Sequence, residues 1–196
     1  MPPLGEWVRE ITQPRVLLAE GADAHWFCLW AKEAYNLVGV QVIDYGGVKN
    51  LPRRLKALRL VTGYDRVEAL AVLRDAEADA SAALASVQHA LETAGLPVPQ
   101  NVGKIVAGPP RTAVFLFPGL FDDAGKPVSG TLEELCLATV ADKPVMKCVD
   151  SFIDCATSAG CDARRRHKAR VHAYLSANDK FVGLKLGEAA KAGAWD

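Results

Sequence analysis

Four short segments place carboxylates where chemistry could use them. Glu20-Gly21 closes the run RVLLAE, and Asp44 is followed by Gly46-Gly47. Asp75-Ala76-Glu77-Ala78-Asp79 follows VEALAVL, and Gly130-Thr131-Leu132-Glu133-Glu134 ends the polar loop after TAVFLF. Each acid lies at or soon after the end of an apolar run. If those ends are neighbours in space, the carboxylates crowd together and repel unless a cation lies between them. A carboxylate set without His or Cys suits a hard divalent ion with oxygen ligands, Mg²⁺ above all. A plainer role competes, because Asp and Glu after strands often cap the next helix. Thr131-x-x-Glu134 has the spacing of a capping box.

A second group is basic. Arg164-Arg165-Arg166-His167-Lys168, with Arg170 beyond it, is the densest cationic run. It could hold phosphates, making affinity salt-dependent, or be a solvated helix face. Lys168 could also approach the acids and stabilise charge developing on a phosphate. Arg53, Arg54, Lys56 and Arg59 form a weaker patch that reads as solvated. His25, His89, His167 and His172 lack zinc-site spacing. Cys148, Cys155 and Cys161 read as core thiols at helical spacing. Walker A, GxGxxG, GxSxG and HExxH motifs are absent.

The elements that must position the acids follow from hydrophobic periodicity. Strands are expected at Arg15–Glu20, from Val40 to Asp44, at Val67–Leu73 and at Thr112–Phe117. Helices are expected from Asp23 to about Leu37, over Leu51–Val61 and Ala78–Ala94, near Leu132–Val140, and over Val145–Ala159 and Asp162–Ala177. Near-continuous apolar strands separated by helices predict an α/β fold, a parallel sheet of about four strands covered on both faces. Such sheets gather functional groups at the carboxyl ends of strands, where strand order reverses. The expected organisation is a single domain over 1–196, with a core at about 15–140 and a helical C-terminal extension at about 141–196.

Composition sets the outer bounds. The 196 residues carry 23 Lys+Arg and 23 Asp+Glu, so the formal net charge is zero and a polycationic surface is excluded. No apolar run approaches the roughly 18 residues of a membrane span. Five Cys without CxxC spacing, and no secretory leader at the start, predict reduced thiols and a cytoplasmic location.

The segments LLAEGADAHWF, IDYGG, LAVLRDAEADA and GTLEEL, in this order, resemble the Toprim fold of type IA topoisomerases, bacterial primases and OLD-type (overcoming lysogenization defect) nucleases. They are most similar to a family of small bacterial Toprim-like proteins. The resemblance spans about residues 15–140 and continues more weakly to LGEAAKAGAWD. It implies a catalytic or metal-binding Glu20, and Mg²⁺ (or Mn²⁺) on Asp75 and Glu77. The second acid departs from the Asp-x-Asp of the family, and Asp79 could serve instead. Glu133 matches the further acid of OLD-type enzymes, while Asp23 matches another position only loosely.

The implied function is Mg²⁺-dependent phosphodiester chemistry on nucleic acid as a Toprim-type nuclease. Arg164, Arg165, Arg166 and Lys168 would be the nucleic-acid-binding residues. The rival is a non-catalytic Toprim-like module that binds nucleotide, nucleic acid or a partner protein, in a role such as phage defence. Homo-oligomers are left open, and no membrane partner is expected. The chain lacks the extra domains and Tyr nucleophile module of a topoisomerase and the zinc-binding region of a primase.

Overall fold

A computed structural model of the chain describes residues 8–162 and 164–195. Four strands form an all-parallel sheet in the order β2-β1-β3-β4: β1 Arg15–Glu20, β2 Val40–Gly46, β3 Ala69–Asp75 and β4 Arg111–Phe117. Seven α-helices flank it among the described residues: α1 Gly21–Ala34, α2 Leu51–Leu58, α3 Ala80–Thr93, α4 Leu132–Thr139, α5 Val145–Ser158, α6 Arg166–Ser176 and α7 Leu186–Lys191. None of them is long and apolar enough to cross a membrane.

Alternation along the strands sends side chains to two buried clusters. Val16, Leu18, Ile43, Leu70, Val72 and Val114 pack on one face against Leu51, Leu55 and Leu58 of α2 and Val87 and Leu91 of α3. Ala19, Val42, Leu73 and Phe117 pack on the other against α1 and the helices after β4. Helix α7 lies flush on α1. A Cβ at Gly187 would stand 2.5 Å from the Trp26 carbonyl carbon, so only glycine permits this approach.

The chain steps from β1 to one side for β2, then returns past β1 to β3. Strand order therefore reverses between β1 and β3, which is the topological switch point of an open α/β sheet. Glu20 ends β1 and Asp75 ends β3.

Two surface expectations need correction. Cys148 and Cys155 are exposed, because Met146, Val149 and Ile153 take the inward face of α5, and Cys161 is exposed beyond the end of that helix. Cys28 and Cys136 are the buried thiols, and desolvation pushes both up to about 12. In the weaker basic patch Arg54 is buried, whereas Arg53, Lys56 and Arg59 are exposed as expected, Arg59 also donating to the Ala94 carbonyl at 2.9 Å.

Candidate active site

The backbone around the switch point is fixed before any ligand is considered. Asp44 Oδ1 accepts from Gly21 N at 3.0 Å and Gly46 N at 2.6 Å, tying the β1–α1 turn to the end of β2. Gly46 has φ +79°, a left-handed conformation that a side chain would disfavour. The chain then turns back so that Val48 N donates to Glu20 Oε1 at 3.2 Å. Across the switch point, Asp75 Oδ1 accepts from Leu132 N at 2.9 Å, so the first turn of α4 is docked on the end of β3. Glu77 N donates to the Gly130 carbonyl at 2.8 Å, and Glu77 adopts φ 54°, a strained value for a non-glycine residue.

Glu20, Asp75, Glu77 and Glu133 are brought close enough to act on one another electrostatically. Burial raises the Glu20 carboxyl above its ordinary range; Arg74 and the Val48 amide oppose this, and the charge of Glu77 adds to it. Asp75 is pushed up to about 7 by burial; the Leu132 hydrogen bond opposes this, and the charges of Glu133, Glu20 and Glu77 add to it. Burial pushes Glu133 up, but the Lys168 hydrogen bond and charge, with hydrogen bonds from its own backbone amide and from Thr131, together hold the carboxyl below its ordinary range. Lys168 Nζ stands 2.8 Å from Glu133 Oε1, and its ammonium is raised by that bond and by the charges of Glu133, Asp23 and Asp75, against the effect of burial.

Two neighbours of Glu20 were not singled out in the sequence. Arg74 is buried, with Nε 3.5 Å from Glu20 Oε2 and 3.0 Å from the Asp75 carbonyl oxygen. The Tyr45 ring is fully buried, and desolvation together with the nearby Glu20 charge raises its phenol. Both were legible by parity, since Arg74 alternates with Leu70 and Val72, and Tyr45 with Ile43, on the same face.

Not every expected residue joins this group. Asp79 caps α3, its Oδ1 accepting from Ala82 N at 2.9 Å. Asp79→Ala should therefore cost about 1 kcal/mol in urea unfolding and leave any response to Mg²⁺ intact; loss of that response would return Asp79 to the ligand set. Thr131 Oγ1 accepts from Glu134 N at 3.4 Å, so the cap of α4 uses Thr131, while Glu133 turns to Lys168. In the basic run, Arg164 pairs with Asp162 and Arg166 with Asp154, both at 2.6 Å on the surface. Arg165 is exposed at the start of α6.

The donor set matches a hard divalent ion in chemistry. It is all oxygen, burial pushes the Asp75 carboxyl up to about 7, and the buried Glu20 Oε2 accepts no hydrogen bond among the described residues, its Arg74 neighbour standing at 3.5 Å. The shell is not preformed: among the described residues, no three or more acidic, His or Cys side chains are arranged to hold an ion. Oxygens of Glu20, Asp75 and Glu133 are already engaged by Val48, Leu132 and Lys168, so ion binding would require side chains to rotate.

Among solved structures, the chain is similar to the C-terminal region of the Xanthomonas campestris pv. campestris OLD protein. The identity is 14%, the TM-score 0.40, and the match covers 93% of this chain and 81% of that one. No curated protein matches. A family model described as a protein of unknown function, DUF3226, matches residues 14–196. That match spans nearly the whole chain, and the protein belongs to the DUF3226 family.

Proposed function

We propose that the protein is a Toprim-type, Mg²⁺-dependent enzyme of phosphodiester chemistry on nucleic acid, most specifically a nuclease. The observation that carries this reading is the position of Glu20 and Asp75 at the neighbouring ends of β1 and β3, with Asp75 raised to about 7 by burial and by the charges of Glu133, Glu20 and Glu77. Two largely buried acids held above their ordinary range, Glu20 and Asp75, at neighbouring strand ends are the pattern of a functional site. The sequence resemblance to Toprim enzymes assigns the same residues.

In this reading Glu20, Asp75 and Glu77 hold the ion, and Glu133 is the further acid. When bound, Mg²⁺ or Mn²⁺ supplies the charge that activates water and offsets the leaving oxygen. Glu20, largely buried at the end of β1, takes the proton of the attacking water. Arg74 keeps Glu20 oriented, since its guanidinium is itself fixed on the Asp75 carbonyl. Lys168 faces both Glu133 and Asp75 and offsets negative charge on the phosphate during reaction. Arg164, Arg165 and Arg166, on the segment leading into α6, extend the contact along the strand's phosphates.

One observation favours the rival reading of a non-catalytic binding module. Arg74 and Lys168 already pair with Glu20 and Glu133, so part of the charge an ion would bring is present. Thermal unfolding with and without Mg²⁺ separates the two. The enzyme reading predicts stabilisation of about 2.7 kcal/mol at one hundred times the dissociation constant, lost in Glu20→Gln. Equal melting temperatures with and without Mg²⁺ and Mn²⁺ would favour the binding module.

A further inference from the structure

The helices after β4 do more than cover the sheet. Between α6, the turn into α7 and the start of α1 lies a cavity of about 290 Å³. Its floor is apolar, made by Val171, Leu175 and Leu186, all buried. Its rim is polar, with Asp23, His172 and Lys185. Its inner wall is the Glu133–Lys168 pair, so it opens directly beside the carboxylate cluster.

We infer that this cavity is a subsite for one nucleotide unit, either a free 5′-mononucleotide or the unpaired end of a strand. The inference rests on the proposed phosphodiester chemistry for the identity of the ligand, and on the cavity alone for its size and polarity. The volume lies at the lower edge of the range of about 300–1,000 Å³ for small-ligand sites, enough for one ring and its sugar but not for a base pair. A flat base would lie on the Val171–Leu175–Leu186 floor, burying its face. Asp23, in the first turn of α1, can accept from a ring amino group. Lys185 makes no ion pair among the described residues and is exposed at the rim, available to a phosphate. Lys168 lines the cavity, pairs with Glu133 and feels the charge of Asp75, and would direct that phosphate towards the acids. The C-terminal helices thereby become the element that selects substrate.

The test is titration of adenosine 5′-monophosphate into the full chain without metal, followed by amide NMR. Saturable shifts are expected in 171–175 and 184–186. Adenosine, lacking phosphate, and ribose 5-phosphate, lacking the ring, should each bind at least about tenfold more weakly. A short single-stranded oligonucleotide should compete, whereas a blunt hairpin with paired ends should not. Lys185→Glu should weaken binding by about tenfold, and His172→Trp, an exposed position whose new ring would fill the cavity, should abolish it. No saturable shift at these residues, equal binding of ribose 5-phosphate, or indifference to both variants would overturn the subsite. Mg²⁺-dependent stabilisation, measured on the same samples, keeps the two readings apart. A retained Mg²⁺ response without nucleotide binding sinks the subsite alone. Nucleotide binding without any Mg²⁺ response supports the subsite and sinks the proposed chemistry alone.

Discussion

Replacing Asp75 with Asn should make the apo protein more stable than the wild type at neutral pH, by an amount that grows as pH rises. The Asp75 carboxyl keeps its proton up to about 7 in the folded chain, whereas an unfolded Asp releases it near 3.9. Between those values the native state binds more protons than the unfolded state, so this group makes stability fall with rising pH. The loss begins near the unfolded value, is complete above about 7, and is at most on the order of 4 kcal/mol, since each pH unit is worth about 1.4 kcal/mol. Asn keeps an oxygen for the Leu132 amide at almost the same place but does not titrate. The stability difference between variant and wild type should therefore open from pH about 4 to about 7 and then level off. Mg²⁺ should reverse the order by stabilising the wild type and not the variant. Urea unfolding across that pH range checks it; a constant difference would show that Asp75 is an ordinary helix-docking acid.

Arg74→Met should be strongly destabilising. Arg74 has only 8% of its side chain exposed and stands against Glu20, 19% exposed, so the pair is largely removed from water. Removing one member leaves a buried charge uncompensated, which typically costs about 3–5 kcal/mol. Part of that cost depends on pH. Glu20 is already raised by burial, and without Arg74 it would be raised further, so the charge penalty is absent below the unfolded Glu value and present at neutral pH. The double variant Arg74→Met/Glu20→Gln should recover much of the loss, because the orphaned charge is gone. Urea unfolding of the four members of that cycle measures the coupling. A loss under about 1 kcal/mol, or one that Glu20→Gln does not relieve, would mean that the pair is not a unit.

How much of this was legible in the sequence depended on whether local or tertiary forces decide each feature. The bounds of strand β1 are legible in the sequence, because the apolar run VLLA is bracketed by Arg15 and Glu20 and punctuated by Pro14 and Gly21. Strand β3 was read two residues early, since VEALAVL looks apolar from Val67 while the ladder begins at Ala69. The acids at the ends of β1 and β3 were legible because a parallel sheet puts all strand ends at one edge. Whether Asp79 is ligand or cap was not, as both roles use an acid just before a helix; the structure shows the cap, through the Ala82 hydrogen bond. Helix α7 was missed because LGEAAK is short and contains glycine. It is held by its fit on α1 at Gly187, a tertiary contact with no local signature. The cysteine error on α5 has a related cause. Spacing gave a helix but not its rotation, and Met146, Val149 and Ile153 win the inward face.

The most direct test of the proposed chemistry is cleavage of end-labelled single-stranded DNA, duplex DNA and RNA by the purified chain with Mg²⁺, with Mn²⁺ and with chelator. The account predicts cleavage of at least one of these substrates that needs the ion and falls by about 10²–10⁴-fold in Glu20→Gln, the range for losing a general base. Absence of cleavage on all three substrates with either ion, or cleavage that Glu20→Gln leaves unchanged, would contradict it.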